Sequence, residues 1–201
     1  MEFCAMDKKR DMNKITRRRY LALLMAAVLM LCALLTGCGG NEAEEAVKAD
    51  LESMRDIEFD EAGTEELLGM LSQTGRDNFY EFRDKAGTYE YTIVESSEND
   101  NSTATAVTVQ IQTYSFGKIY LETWADAIEA AGGKTPDDAD FYELLMTNLS
   151  EAKEKTFFRN VVITCADTDG DGKLNTDADT NRDLRDAIFG GMLTEIAKLA
   201  E

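Results

Sequence analysis

The sequence predicts an α+β domain, a curved antiparallel sheet of three or four strands packed against several helices, preceded by an N-terminal leader. Three observations carry this. The hydrophobic period is near 3.6 residues over 42–82, falls to 2 between Tyr89 and Ile111, and returns to 3.6 before the last strands. Helices in a block, then a hairpin, then helices again is an α+β order, not a βαβ alternation. Charge is split along the 201 residues: 1–37 hold seven basic and three acidic side chains, net +4, and 38–201 hold 14 basic and 36 acidic, net −22.

The leader comes first. Lys8, Lys9, Arg10, Lys14 and Arg17 to Arg19 precede an uncharged, mostly aliphatic run at 20–35, sixteen residues long. A membrane span needs about 20 residues, so the run fits a secretory h-region better. It ends in Leu35-Thr36-Gly37-Cys38, which resembles the lipobox of bacterial lipoproteins. That resemblance implies a signal peptide over 1–37 and a lipid anchor on Cys38, with acyl chains such as palmitate. A short tether at 38–41 and a single domain at 42–201 complete the organisation. The expected location is the outer, extracytoplasmic face of a bacterial cell membrane. Starting at Met12 instead of Met1 would give a leader of more ordinary length. Cys4 and Cys32 would leave with it, so Cys165 alone would remain in the folded part and no intrachain disulfide would form.

In the mature chain, Ala43, Val47, Leu51 and Met54 predict a helix over 42–57. Thr64 is placed to cap a second, carrying Leu67, Leu68 and Leu71. Phe79, Tyr80 and Phe82 mark a third, ending near Gly87. Tyr89, Tyr91 and Ile93, then Val107, Val109 and Ile111, alternate with polar residues and predict a hairpin with one buried face, its turn at 96–102. Tyr120, Trp124, Ile128 and Ala131 stripe a helix that stops at Gly132-Gly133. Thr135-Pro136-Asp137-Asp138 signals the next helix start, with Thr135 as cap and Pro136 first in the helix. That helix buries Phe141, Leu145, Leu149 and Ala152. A third strand is predicted over 157–166, with Val161, Ile163 and Cys165 on one side, and a short fourth over 173–176. One last helix carries Leu184, Ile188, Met192, Ile196 and Leu199.

The order and texture of 42–199 resemble small lipoproteins, common in Gram-positive bacteria, whose domain of unknown function is related to the nuclear-transport-factor-2-like (cystatin-like) cone. The matching segments are Glu45-Ala46-Val47-Lys48, the strand from Thr103 to Val109, the turn Asp171-Gly172-Lys173 and the helix bearing Gly190-Gly191. Leu174 stands where that family often has tryptophan. The resemblance implies a cone-like fold at the cell surface.

Composition narrows the chemistry. With 44% hydrophobic and 30% charged residues the chain can bury a core. It has no histidine, which excludes His-based triads and His metal ligands. Its acid excess disfavours nucleic acid as a partner. The sharpest local pattern is Asp167-Thr168-Asp169-Gly170-Asp171-Gly172-Lys173-Leu174-Asn175, which resembles a calcium loop of the EF-hand or dockerin kind. Asp167, Asp169, Asp171 and Asn175 would supply side-chain oxygens and Lys173 its carbonyl. Ala178 occupies the place of the bidentate acid, so affinity would be weak, and the same residues suit a plain hairpin turn.

Three functions follow as expectations. The first is a non-enzymatic, membrane-anchored binding or interaction module for a protein or small-molecule partner, with no cofactor. The second is a weak calcium-binding lipoprotein. The third is a small cone-fold enzyme using an Asp/Tyr pocket, with Tyr89, Tyr91, Tyr114 and Trp124 as candidate lining. Cys165, beside Val161 and Ile163, reads as a packed thiol.

Overall fold

The computed structural model describes residues 40–98 and 104–200. Leu35, Thr36, Gly37 and Cys38 lie outside them, as does most of the predicted hairpin turn. Within them the fold is α+β: seven α-helices and one open four-stranded antiparallel sheet.

Helix α1 (Gly40–Ser53) begins inside the stretch read as tether, and its stripe Ala43, Val47 and Leu51 is fully buried. Helix α2 (Glu61–Met70) starts earlier than Thr64. Asp60 is its cap, accepting the Gly63 N–H at 2.9 Å, while the Thr64 hydroxyl turns back to the Asp60 carbonyl. A short carboxylate reaches the first free N–H groups more readily than a threonine one turn on, and the exposed Gly63 is tolerated in the first turn. Helix α3 (Gln73–Ala86) is capped by Ser72, buries Phe79, Phe82 and Ala86, and ends at Gly87 as predicted.

Strands β1 (Glu90–Glu98) and β2 (Ala104–Thr113) pair antiparallel. A bulge at Val94 shifts the alternation by one, so that Ser96 rather than Glu95 lies opposite Val107. Helix α4 (Phe116–Ala130) and helix α5 (Asp138–Ser150) form the connection from β2 to β3 (Phe157–Ala166), which pairs antiparallel with β2 along its whole length. The α4 stripe is rotated from the predicted one: Phe116, Thr123 and Ala127 are buried, and Tyr120, Trp124 and Ile128 flank them half-buried. The cap of α5 is Asp137, which accepts the Ala139 N–H, so Pro136 precedes the cap instead of opening the helix. Strand β4 (Asn175–Thr176) adds two residues at the end of β3, and a 3-10 turn (Ala178–Thr180) follows.

The predicted last helix is two. Helix α6 (Arg182–Ile188) and helix α7 (Met192–Leu199) meet at Gly190 and Gly191, whose φ values of 57° and 82° no straight helix contains. The corner exists because α4 begins against it. Gly117 donates its N–H to the Gly190 carbonyl at 3.1 Å, and a Cβ on Gly190 would lie 2.0 Å from the Tyr114 carbonyl oxygen.

Two cores result. One lies between the sheet and helices α1 and α6, where Val107, Val109, Ile111, Val161, Ile163 and Cys165 meet Val47, Leu51, Leu184 and Ile188. Each such aliphatic side chain contributes roughly 1.5–3 kcal/mol through burial. The second lies among α3, α4 and α5, around Phe79, Phe82, Phe116, Phe141, Leu145 and Leu149, and Ile57 packs on both. The opposite sheet face is solvated, with Val94, Phe158 and Val162 each more than half exposed. No helix among the described residues is long and apolar enough to cross a membrane.

Gly190→Ala is expected to cost more than about 3 kcal/mol, because the new methyl meets backbone at a positive φ. Gly69→Ala, with open space around its Cβ, should be neutral or stabilising by up to about 1 kcal/mol. Urea denaturation of both variants checks the contrast.

Candidate functional site

Helices α2, α3, α5 and α7 do not close completely, and the gap is an apolar groove of about 360 Å³. Helix α5 supplies Leu145, Met146 and Leu149 because its apolar residues recur at three- and four-residue spacing. Phe79 and Phe82 reach in from α3, and Met192 and Ile196 from α7. Phe59, on the loop before α2, packs its ring at a tilt against Phe79 and Phe189, with centroids 5.5 Å and 5.8 Å away, and so anchors the wall.

Polar groups in the groove are few. Asp60 is its one ionisable acid and Thr64 lies a turn away. Tyr120 and Tyr142 also line it, and among the described residues neither phenol hydroxyl has a hydrogen-bond partner. Burial, and then the proximity of Tyr142, pushes the Tyr120 phenol above its ordinary range, so it remains a neutral donor. Apolar walls with two phenol side chains among them suit reversible binding of a small molecule.

Beside the groove lies a wider cleft of about 720 Å³ that shares Phe59, Asp60 and Met192 with it. Its charged lining is Asp56, Glu58, Asp60, Asp179 and Arg185. The Arg185 guanidinium donates to the Asp179 carbonyl.

Below this region sits a buried charge. Asp186, 5% exposed, accepts from Arg159 at 2.5 Å, from the Thr194 N–H at 3.0 Å and from the Thr194 hydroxyl. Burial alone would raise the pKa of Asp186, but the Thr194 hydrogen bonds and then Arg159 outweigh it, and the net shift is downward. The group ties β3, α6 and α7 together under the corner. Sequence reasoning missed it, although a signal was present. Arg159 occupies the alternation of β3 that Val161, Ile163 and Cys165 bury, and an inward arginine calls for a carboxylate.

The Asp167 loop is closed by its own hydrogen bonds. Asp167 caps its own loop, accepting the N–H groups of Gly170 at 2.7 Å and Gly172 at 3.1 Å, and Asp171 accepts from the Lys173 N–H. Asn175 donates to Thr168 at 2.8 Å and belongs to β4. Asp167, Asp169 and Asp171 do not converge: among the described residues no three acidic or cysteine side chains are close enough to hold a metal ion. Ala178, at the twelfth position, is fully buried in the sheet core, which explains why no acid stands there.

The four aromatic residues expected to share a pocket are separated. Tyr89 and Tyr91 belong to the sheet core, Tyr114 and Trp124 to the helical one. The Tyr89 hydroxyl is spent on the Leu51 carbonyl, and Arg55 lies 5.1 Å from the Tyr89 ring centroid while bonding its carbonyl at 2.8 Å. Cys165 is fully buried, and burial, followed by Asp177 and Asp50, pushes its thiol up to about 11, so it is a packed thiol and no nucleophile.

Compared with family models, curated proteins and solved structures, the chain matches none.

A carboxylate with a lowered pKa stabilises the fold above its unfolded pKa, near 4, and that contribution is lost as pH falls through the folded value. Asp186→Asn is therefore expected to cost about 2–4 kcal/mol at pH 7. The gap to the parent should narrow steadily below about pH 4. Chemical denaturation at a series of pH values checks this; a gap that does not change with pH would refute it.

Proposed function

We propose that the chain is an extracytoplasmic bacterial lipoprotein, held to the membrane by lipid on Cys38, whose domain is a non-enzymatic binding module. The leader and the Leu35-Thr36-Gly37-Cys38 lipobox support the anchoring. The observation that carries the binding role is the apolar groove, lined by Phe59, Phe79, Phe82, Leu145, Met146 and Leu149 with Tyr120 and Tyr142 beside them. A four-stranded antiparallel meander with helices against one face is in keeping with the resemblance to the nuclear-transport-factor-2-like cone. The groove has no second acid or strong nucleophile beside Asp60, which favours binding over catalysis.

Each half has its own test. The N-terminal peptide of the membrane-bound protein should carry diacylglycerol on Cys38 by mass spectrometry, and Cys38→Ala should move the protein to the soluble fraction. The neutral fluorophore N-phenyl-1-naphthylamine should brighten in the groove. Thr64→Trp, on the shallowly packed α2, should abolish that signal without altering the melting curve.

A second reading is weak calcium binding at the Asp167 loop. One observation favours it: the Asp167 carboxylate already draws in the Gly170 and Gly172 N–H groups, and the backbone turns there at positive φ. A modest closure would bring Asp169 and Asp171 inward. Extracellular calcium near millimolar can fill sites of about 10⁻⁴–10⁻³ M. Calorimetry with millimolar calcium should then give heat that an Asp169→Ala/Asp171→Ala variant lacks, and no heat from the parent ends the idea.

A further inference from the structure

The groove and the acidic cleft adjoin, with Phe59, Asp60 and Met192 in the lining of both, yet their chemistry is opposite. One end is aromatic and aliphatic. The other brings Asp56, Glu58 and Asp179 to a rim where Arg185 is the sole cation, already engaged with the Asp179 carbonyl. Asp60 stands at the junction. Its Oδ2 caps α2, and its Oδ1 has no hydrogen-bond partner among the described residues.

A molecule long enough to span both parts thus meets apolar surface first and then an excess of negative charge. A fatty acid or a phosphorylated lipid would set its own anion against four carboxylates, and no lysine lines either hollow to relieve it. A cation is favoured by the carboxylates that line the cleft. Size sets the body of the ligand: about 360 Å³ takes an apolar portion of roughly a dozen heavy atoms.

We propose that this hollow binds a small organic monocation, an aromatic or short alkyl body in the groove with a protonated amine in the cleft. The proposal rests on the reading of the domain as a binding module and specifies its ligand class.

Three near-isosteric probes separate the terms: 4-phenylbutylamine, 4-phenylbutan-1-ol and 4-phenylbutyrate, each titrated calorimetrically into the purified chain. The amine should bind about tenfold more tightly than the alcohol, and the carboxylate least. Raising the salt from about 20 mM to about 500 mM should narrow the spread, because the rim charges are exposed. Thr64→Trp should weaken all three, whereas Asp56→Asn/Glu58→Gln should weaken the amine alone. Melting curves matching the parent show that both variants are folded. Equal binding of amine and alcohol, or tightest binding of the carboxylate, overturns the ligand class while leaving the groove a binding site. Failure of all three probes, with N-phenyl-1-naphthylamine also dark, overturns the binding reading itself.

Discussion

The close passage of Gly117 against Gly190 and Gly191 is the constraint on which the rest of the architecture depends. Backbone meets backbone there with no side chain between: a Cβ on Gly117 would fall 2.8 Å from the Gly191 carbonyl carbon, and one on Gly190 closer still to Tyr114. Such an approach is open only to glycine on both sides. It fixes where β2 ends and α4 begins, and it splits the C-terminal segment into α6, committed to the sheet core, and α7, committed to the helical one. The Arg159–Asp186–Thr194 group reinforces the same junction from beneath, so neither helix can rotate without stranding a buried carboxylate.

Placement of the groove follows from that division. Because α7 leaves the corner at an angle to α6, Met192 and Ile196 come to face Phe59 and the α5 residues without filling the space between them. A second close contact holds the opposite wall. Glu143 of α5 accepts from the Ser72 N–H and hydroxyl, those bonds lower its pKa, and Gly75 leaves the carboxylate room to do so. Each wall is thus positioned by a polar tie and a glycine, and apolar packing completes it.

Much of the fold was legible. Strand β3 spans the predicted residues and buries the predicted side, and the hairpin follows its alternation, because a period of 2 over ten residues has few competing readings. Helix ends were less legible. Thr64 against Asp60, and Thr135 against Asp137, are rival caps a few residues apart, and the choice depends on how the chain arrives from the preceding element. The break at Gly190-Gly191 is tertiary in origin: Leu184, Ile188, Met192 and Ile196 keep helical spacing, and only the presence of Gly117 decides against continuity. The groove was hidden for a related reason. Phe59, Phe79, Tyr142 and Met192 are far apart in sequence, and each reads on its own as an ordinary core residue. At the Asp167 loop the spacing suggested an ion, and the burial of Ala178 shows why the twelfth position carries no acid, which the sequence alone did not explain.

Helices α2 and α7, which wall the groove on two sides, contain no buried residue at all, whereas every strand of β2 and β3 is anchored in a core. Local opening free energy follows the amount of surface each segment hides, so these two helices belong to the least protected part of the domain in hydrogen exchange and the sheet to the most. Occupancy of the groove would therefore be felt chiefly as slower exchange in α2 and α7. The domain would register its ligand by stiffening two surface helices, with the sheet beneath them unchanged.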